Sequence, residues 1–147
     1  MRKNIFLTAL LLIAVSLVAC NDNDKKVINF GSLPSAAQTF VKTHFSDKEV
    51  SVVFREHYGD NEYEVLFTDG AKVEFTRKGE WDEVEDRDAD GVPSSIIPQA
   101  IIDYVTTNHA AQKIVQINKE RRKYEVELNN SVDIEFDTNG NFVRYDD

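Results

Sequence analysis

The sequence predicts an α+β fold made of two tandem repeats, each with one helix packed on a four-stranded antiparallel sheet. One motif occurs twice, as LPxAxxxFVxT at 33–43 and as IPxAxxxYVxT at 97–107. The tripeptide YEV also occurs twice, at 63–65 and at 124–126. After each copy of the first motif, the apolar residues change from helical spacing to the alternation that is typical of strands. The predicted repeats are therefore residues 30–86 and residues 87–147.

Each repeat begins with a predicted helix. Pro34 and Pro98 stand where the first turn of a helix tolerates proline. Apolar residues then recur at helical spacing on one side of each helix: Ala37, Phe40 and Val41 in the first, and Ile101, Ile102 and Val105 in the second. We expect each helix to pack this side on a sheet.

The alternation in the strands predicts their register. Tyr63, Val65 and Phe67 share a buried face with Val73 and Phe75 only if the intervening loop has an odd number of residues, which selects 68–70. Carboxylates then face each other across the strands: Glu64 opposite Glu74, Glu125 opposite Glu135, and Glu127 opposite Asp133.

The N-terminus predicts export and membrane anchoring. Arg2 and Lys3 precede an uncharged apolar run at 5–19, the layout of a secretory signal that is too short to span a membrane. The run ends in LVAC at 17–20, which resembles a bacterial lipobox and implies a signal peptide at 1–19, lipidation of Cys20 and a tether at 20–29. The alternative is an ordinary signal followed by an incidental cysteine. The predicted location is the periplasm or the cell surface, with a lipid anchor in the outer membrane.

Charge excludes one class of partner. The net charge is −9 and becomes −11 if Arg2 and Lys3 leave with the signal. A chain this acidic is repelled by nucleic acid and by anionic lipid.

Residues 30–147 resemble the PepSY-like periplasmic proteins (DUF2874 type), whose fold is like that of β-lactamase-inhibitory protein. The resemblance rests on the lipobox and on two copies of an LPxA-type helix followed by YEV, a glycine turn, VEF, and GxW or GxF. It implies helices on one face of the protein and a broad exposed sheet on the other. It also implies a protein partner, such as an extracytoplasmic enzyme that the protein restrains.

An acidic sheet surface is the first candidate site. Alternation places these carboxylates on the outer side of the strands: Glu62, Glu64, Glu74, Glu125, Glu127, Asp133, Glu135 and Asp137. Like charges on opposed strands are destabilising, so a role in attracting a cationic protein would explain them. The alternative is a solvated face whose charges are offset by Arg55 and Lys119.

The second candidate site is a calcium loop. Asp86-x-Asp88-x-Asp90-Gly91 repeats the first half of an EF-hand loop, and Ser94 falls at its ninth position. The twelfth position is Ile97 instead of a bidentate glutamate, although Glu83 or Glu85 could supply a carboxylate. The alternative is an acidic linker between the repeats. Calcium is the one cofactor that the sequence suggests.

Trp81 and Phe142 occupy equivalent places after the turns at Gly79 and Gly140. A two-residue turn would direct both outward as partner-binding anchors, whereas a three-residue turn would pair them with core aromatics, which is the arrangement we favour.

No enzyme is predicted. His44, His57 and His109 have no partner at ligand spacing, and the chain has no recognisable nucleophile or phosphate-binding motif.

Overall fold

Nine strands follow one another through a single antiparallel sheet in the same order as in the chain, as described by a computed structural model over residues 25–56 and 61–146. The strands are β1 Lys25–Ile28, β2 Val50–Glu56, β3 Asn61–Phe67, β4 Lys72–Thr76, β5 Trp81–Glu85, β6 Ile114–Lys119, β7 Lys123–Leu128, β8 Asp133–Asp137 and β9 Phe142–Asp146. The helices are α1 Ser35–His44 and α2 Gln99–Asn108, and a short 3₁₀ turn precedes each of them, at Phe30–Ser32 and Ser94–Ile96.

The predicted α+β class is correct, but the predicted division into two repeats with separate four-stranded sheets is wrong. Strands β5 and β6 pair directly, with Val84 opposite Ile117. Both side chains are fully buried, so the core continues across the junction. Pairing also satisfies the backbone groups that two separate sheets would leave open at the edges of β5 and β6. The order of one helix followed by four strands does occur twice, within one sheet.

Strand β1 comes from residues 20–29, the segment predicted to be a tether. Lys25–Ile28 pair antiparallel with β2, with Ile28 opposite Val53. The stretch 20–29 therefore includes a strand of the fold. The predicted signal peptide 1–19 and the predicted lipidation site Cys20 lie outside the described residues.

Both helices pack on one face of the sheet. An apolar row crosses all nine strands on that face: Ile28, Val53, Val65, Val73, Val84, Ile117, Val126, Ile134 and Tyr145. Helix α1 covers this face through Phe40, whose ring meets Phe75 edge-on at 5.6 Å. Helix α2 does so through Tyr104, whose ring meets Phe136 at 5.3 Å. Each fully buried aliphatic or phenyl side chain stabilises the fold by about 1.5–3 kcal/mol.

The register predicted for the strands is confirmed. Glu64 lies opposite Glu74, and the amide of Phe67 donates to the carbonyl of Ala71 across the loop 68–70. The two carboxylate pairs of the second half are also as predicted: Glu125 opposite Glu135, and Glu127 opposite Asp133.

The repeated proline motif and the repeated glycine turn form one packing feature. Gly79 has a positive φ of 81°, and a Cβ added there would lie 2.7 Å from Cβ of Pro34 and 3.0 Å from the amide nitrogen of Ala37. The turn between β4 and β5 therefore lies directly under the first turn of α1. Gly140 lies in the same way under Ala100 and Ile101 of α2.

Candidate functional site: the acidic face

The sheet face opposite the helices is built from two cross-strand rows, and we call it the acidic face. The first row contains Val27, Phe54, Glu64, Glu74, Glu83, Asn118, Glu125, Glu135 and Arg144. The second contains Val52, Leu66, Lys72, Glu85, Gln116, Glu127, Asp133 and Asp146. The face is apolar near β1 and β2 and carboxylate-rich from β3 to β9.

The structure brings the predicted acidic residues onto this face. Glu64, Glu74, Glu125 and Glu135 share the first row, and Glu127 and Asp133 are neighbours in the second. Glu62 and Asp137 lie nearer the strand ends, where Glu62 binds Arg55 and Arg77, and Asp137 accepts amides of its own turn.

Three carboxylates of this face are not predicted to lie on it: Glu83 and Glu85, which the sequence suggests only as metal ligands, and Asp146. They lie there because a bulge next to Phe75 and another next to Phe136 shift the alternation of β5 and β9 by one residue.

Lysines offset the opposed carboxylates in the first half of the face. Lys72 Nζ lies 2.8 Å from Glu74 and 2.8 Å from Glu83, and Lys25 Nζ lies 3.3 Å from Glu64. Burial on its own lowers the pKa of Lys72, but the hydrogen bonds to Glu74 and Glu83 outweigh it and raise that pKa above its usual value. Lys72 therefore stays charged.

In the second half of the face, two arginines and a lysine offset the opposed carboxylates. Arg87 binds Glu85 at 2.5 Å and Glu127 at 2.7 Å. The hydrogen bond from Arg87 lowers the pKa of Glu127. Lys123 lies between Glu125 and Glu135, and Arg144 also binds Glu135, at 2.9 Å.

One end of the acidic face forms an oxygen-lined cavity of about 230 Å³. Its polar lining consists of Gln116, Asn118, Glu125, Glu127, Asp133 and Asp146. Desolvation raises the pKa of Asp133, the carboxylates of Glu127, Asp146 and Glu125 raise it further, and the charge of Arg87 offsets this only in part. No cation within the described part of the chain forms an ion pair with Asp133. A cationic group placed in this cavity would relieve that repulsion.

Three carboxylates next to the cavity converge. Oxygen atoms of Glu125, Glu135 and Asp146 lie within 4.8 Å of one another, a spacing that one cation could bridge. Carboxylate oxygens are the ligands that hard cations such as calcium prefer. An ammonium or a guanidinium group suits the same oxygens.

Two of the three aspartates of the predicted calcium loop, Asp86 and Asp88, bind a lysine, and Asp69 from the turn between β3 and β4 binds the same lysine. Lys48 Nζ lies 2.5 Å from Asp69, 2.9 Å from Asp86 and 2.8 Å from Asp88. Burial on its own lowers the pKa of Lys48, but hydrogen bonds to the three carboxylates raise it overall. Burial also raises the pKa of Asp86, against the opposing effect of Lys48. We call this group the Lys48 cluster.

The rest of that loop has structural contacts. Asp88 accepts the amides of Asp90 and Gly91, and Ser94 begins the 3₁₀ turn before α2. Gly91 has φ +70°, and a Cβ there would lie 2.4 Å from the carbonyl oxygen of Ile114. Glycine is thus required at position 91 by the close approach of β6, whether or not an ion binds.

Trp81 and Phe142 lie on the helix face, not on the acidic face. Trp81 is opposite Phe75 and stacks on Phe40, and the ring of Phe142 stacks on Tyr104 at 4.9 Å. Both follow three-residue turns, at 77–79 and 138–140. Trp81 is half-buried, whereas 39% of Phe142 is exposed.

Within residues 25–56 and 61–146, no helix has the length and apolar character needed to cross a membrane.

In the part of the chain that the structure describes, two helices lie on one side of a continuous sheet and no element covers the charged opposite side, which defines an α+β protein with one open face. The chain belongs to the family described as "Putative beta-lactamase-inhibitor-like, PepSY-like", which matches residues 20–64 and 61–144. This confirms the family resemblance seen in the sequence. No curated protein matches the chain.

Three solved structures from Bacteroides share the fold. A protein of Bacteroides thetaiotaomicron named "putative calcium-regulated periplasmic protein" is 42% identical, with a TM-score of 0.79 over 85% of this chain and 98% of its own. A Bacteroides vulgatus protein of the DUF2874 family, named as periplasmic, is 39% identical, with a TM-score of 0.77 over 86% of this chain and 99% of its own. A second Bacteroides vulgatus protein, named as periplasmic and of unknown function, is 35% identical, with a TM-score of 0.76 over 84% and 99%.

Proposed function

We propose that this protein is a non-enzymatic, lipid-anchored extracytoplasmic module that binds another protein through its acidic face. The observation that carries the proposal is the cavity at Asp133, where carboxylates gather around one that has no ion pair within the described residues. A partner that presents a lysine or an arginine would find in that cavity the counter-charge for its own cation. An extracytoplasmic enzyme that the protein restrains is the partner class suggested by the family description, which names β-lactamase-inhibitor-like proteins.

Electrostatics defines the chemistry of the partner. Lys25, Lys72, Arg87, Lys123 and Arg144 offset only part of the carboxylate charge of the face. A cationic protein surface is therefore attracted, and its association rate should fall as salt is added. Nucleic acid and anionic lipid are repelled by the same charge.

The binding test compares two charge-reversed variants of the protein lacking residues 1–20. The first carries Glu64→Lys, Glu125→Lys and Glu135→Lys on the acidic face. The matched control carries three reversals at exposed positions off this face, at Asp47, Glu80 and Asp103, so its net charge is the same. Proteins captured from envelope extract are identified by mass spectrometry. Partners retained by the control and lost by the face variant support the proposal, whereas identical sets for both variants would refute it.

The anchor is tested separately. We propose that Cys20 is lipidated and that the anchor lies in the outer membrane. Cells expressing the full chain are labelled with an alkyne fatty acid, and their membranes are separated by density. Label in the wild-type protein and none in Cys20→Ala is the expected result. An unlabelled wild-type protein would rule out the anchor without bearing on the acidic face.

Calcium regulation is the second candidate function. It is favoured by the convergence of Glu125, Glu135 and Asp146 and by the name of the relative from Bacteroides thetaiotaomicron. At the loop that begins with Asp86, calcium would have to displace the ammonium group of Lys48. On the acidic face it would compete with Lys123 and Arg144, which already bind these carboxylates.

Calorimetry with calcium chloride tests this function and separates the two places. Heat that is lost in Glu135→Gln assigns the ion to the acidic face, and heat that is lost in Asp88→Asn assigns it to the loop. Absence of heat in the wild-type protein would exclude calcium regulation by direct binding.

A further inference from the structure

The two edges of the sheet differ in chemistry. Edge strand β1 exposes one large apolar side chain, Val27, but begins with Lys25 and Lys26, and lysine on an edge strand discourages pairing with another chain. Edge strand β9 instead exposes Phe142, Val143 and Tyr145, at 39%, 49% and 48%. No strand within the described residues pairs with the outer edge of β9. An exposed apolar edge strand is a template for another strand.

We propose that β9 pairs antiparallel with β9 of a second copy of this chain, in a register centred on Tyr145. This register places Arg144 opposite Asp146 of the second copy, and Asp146 opposite Arg144 of the second copy. The strand is thus complementary to itself in charge. A register centred on Arg144 would oppose two arginines, and one centred on Asp146 would oppose two carboxylates. A register centred on Val143 would oppose no two charged residues, so the Tyr145 register is the one that gains two attractive pairs.

The proposed pairing relieves a repulsion within each copy. Asp146 lies opposite Asp133 on β8, and its charge helps to raise the pKa of Asp133. Arg144 is directed mainly to Glu135, at 2.9 Å, and lies 3.9 Å from Asp146. A second copy would bring another guanidinium group to the free side of Asp146. The carboxylates next to β9 thus favour a neighbouring strand that brings a guanidinium group to this edge.

The helix face supplies the apolar part of the contact. The Tyr145 ring lies 5.2 Å from Phe142 and 5.8 Å from His109, and His109 Nε2 lies 3.1 Å from the Tyr145 hydroxyl. Two such aromatic groups would meet across the two-fold axis. Because opposed residues of an antiparallel pair point to the same face, the helices of both copies would lie on one side and the acidic faces would join on the other.

Cross-linking tests the register directly. The protein lacking residues 1–20 contains no cysteine. The shortened protein is suitable for this experiment because solved relatives, over 98–99% of their own chains, align with only 84–86% of this one. In Tyr145→Cys the two thiols would lie opposite each other, so mild oxidation should give a disulfide-linked dimer. The matched control is Val27→Cys on the other edge strand, which should remain monomeric.

Sedimentation velocity with charge swaps tests the pairing independently. Arg144→Asp and Asp146→Arg should each weaken dimerisation by about tenfold or more, since each turns two attractive cross-strand pairs into repulsive ones. The double swap should return the dissociation constant to within about threefold of the wild type, which a folding defect would not allow. Circular dichroism checks the fold of each variant. Any one of three results would overturn the proposal. The wild-type protein could stay monomeric at about 1 mM, Tyr145→Cys could cross-link no faster than Val27→Cys, or the double swap could dimerise as weakly as the single variants.

Discussion

Replacing Lys48 by methionine removes the cation of the Lys48 cluster while keeping most of the side chain. The three carboxylates differ in exposure: Asp86 is 2% exposed, whereas the side chains of Asp69 and Asp88 are 39% and 44% exposed. Exposed ion pairs contribute about 0–1 kcal/mol each, so Asp69 and Asp88 should lose little. Leaving a buried carboxylate without its partner costs about 3–5 kcal/mol. We therefore expect Lys48→Met to lower the free energy of unfolding by about 3 kcal/mol at pH 8.

The pH dependence of this loss has a defined sign. Without Lys48, burial raises the folded-state pKa of Asp86 still further above its unfolded value, about 3.9. A carboxyl group with a raised folded pKa destabilises the protein at high pH and ceases to do so once it is protonated. In the wild-type protein, the hydrogen bond from Lys48 lowers the pKa of Asp69 and of Asp88. Their contribution is present above about pH 4 and is lost as the pH falls through those lowered values. The difference between the two proteins should thus shrink as the pH falls from 8 towards 4.

Urea denaturation between pH 4.5 and pH 8 measures this difference, with the fluorescence of Trp81, the only tryptophan, as the signal. The exposed Lys113→Met is the matched control and should stay within about 0.5 kcal/mol of wild type. Adding Asp86→Asn to Lys48→Met should restore about 2 kcal/mol at pH 8, because the buried charge is gone. A loss below about 0.5 kcal/mol at pH 8, or a loss that grows as the pH falls, would refute the reasoning.

Three further predictions concern a turn, a carboxylate and a phenol. Gly79→Ala should destabilise the protein by about 2 kcal/mol or more, and Gly70→Ala by about 1 kcal/mol. Both positions need a positive φ, but only a Cβ at position 79 would also collide with other atoms. Thermal unfolding that ranks the two variants the other way would contradict this. Asp133→Asn should stabilise the protein by a few tenths of a kcal/mol at pH 8, because it removes a repelled charge. In urea titrations this gain should vanish below the raised pKa of Asp133, where the wild-type residue is protonated. A gain that persists at low pH would contradict this. Burial and the hydrogen bond with Tyr145 raise the pKa of Tyr104 to about 12. Ultraviolet titration should therefore find one tyrosine that ionises at a higher pH than the others, and Tyr145→Phe should lower the pKa of that tyrosine. A titration curve for Tyr104 that Tyr145→Phe leaves unchanged would contradict the contact.

The strand register was predictable because it depends on neighbours in sequence. Alternation and one glycine turn fix which residues of β3 and β4 face each other, and Glu64 opposite Glu74 follows. The joining of the two halves was not predictable in this way. It depends on β5 meeting β6 across the helix-containing segment 86–113, and no local period reports a partner so far along the chain.

The Lys48 cluster shows the same limit at the level of a site. It joins the segment after α1, the turn between β3 and β4, and the segment after β5. The aspartate spacing at 86–90 suggests an ion, but nothing in the local pattern indicates that Lys48 supplies the positive charge. Strand β1 escapes prediction because four residues with two lysines carry little apolar pattern.

Strand order that follows chain order has a consequence for how the protein folds. Each strand pairs with the one before it, so a chain that emerges amino end first could add strands one at a time. The longer delays come at α1, between β1 and β2, and at α2, between β5 and β6. Loops closed in this way are short, which keeps their entropic cost low and favours rapid folding. Until α2 and β6 have been synthesised, however, β5 would be an unpaired edge strand with Val84 uncovered. A chain at this stage of synthesis is therefore the one most prone to pair incorrectly with another chain.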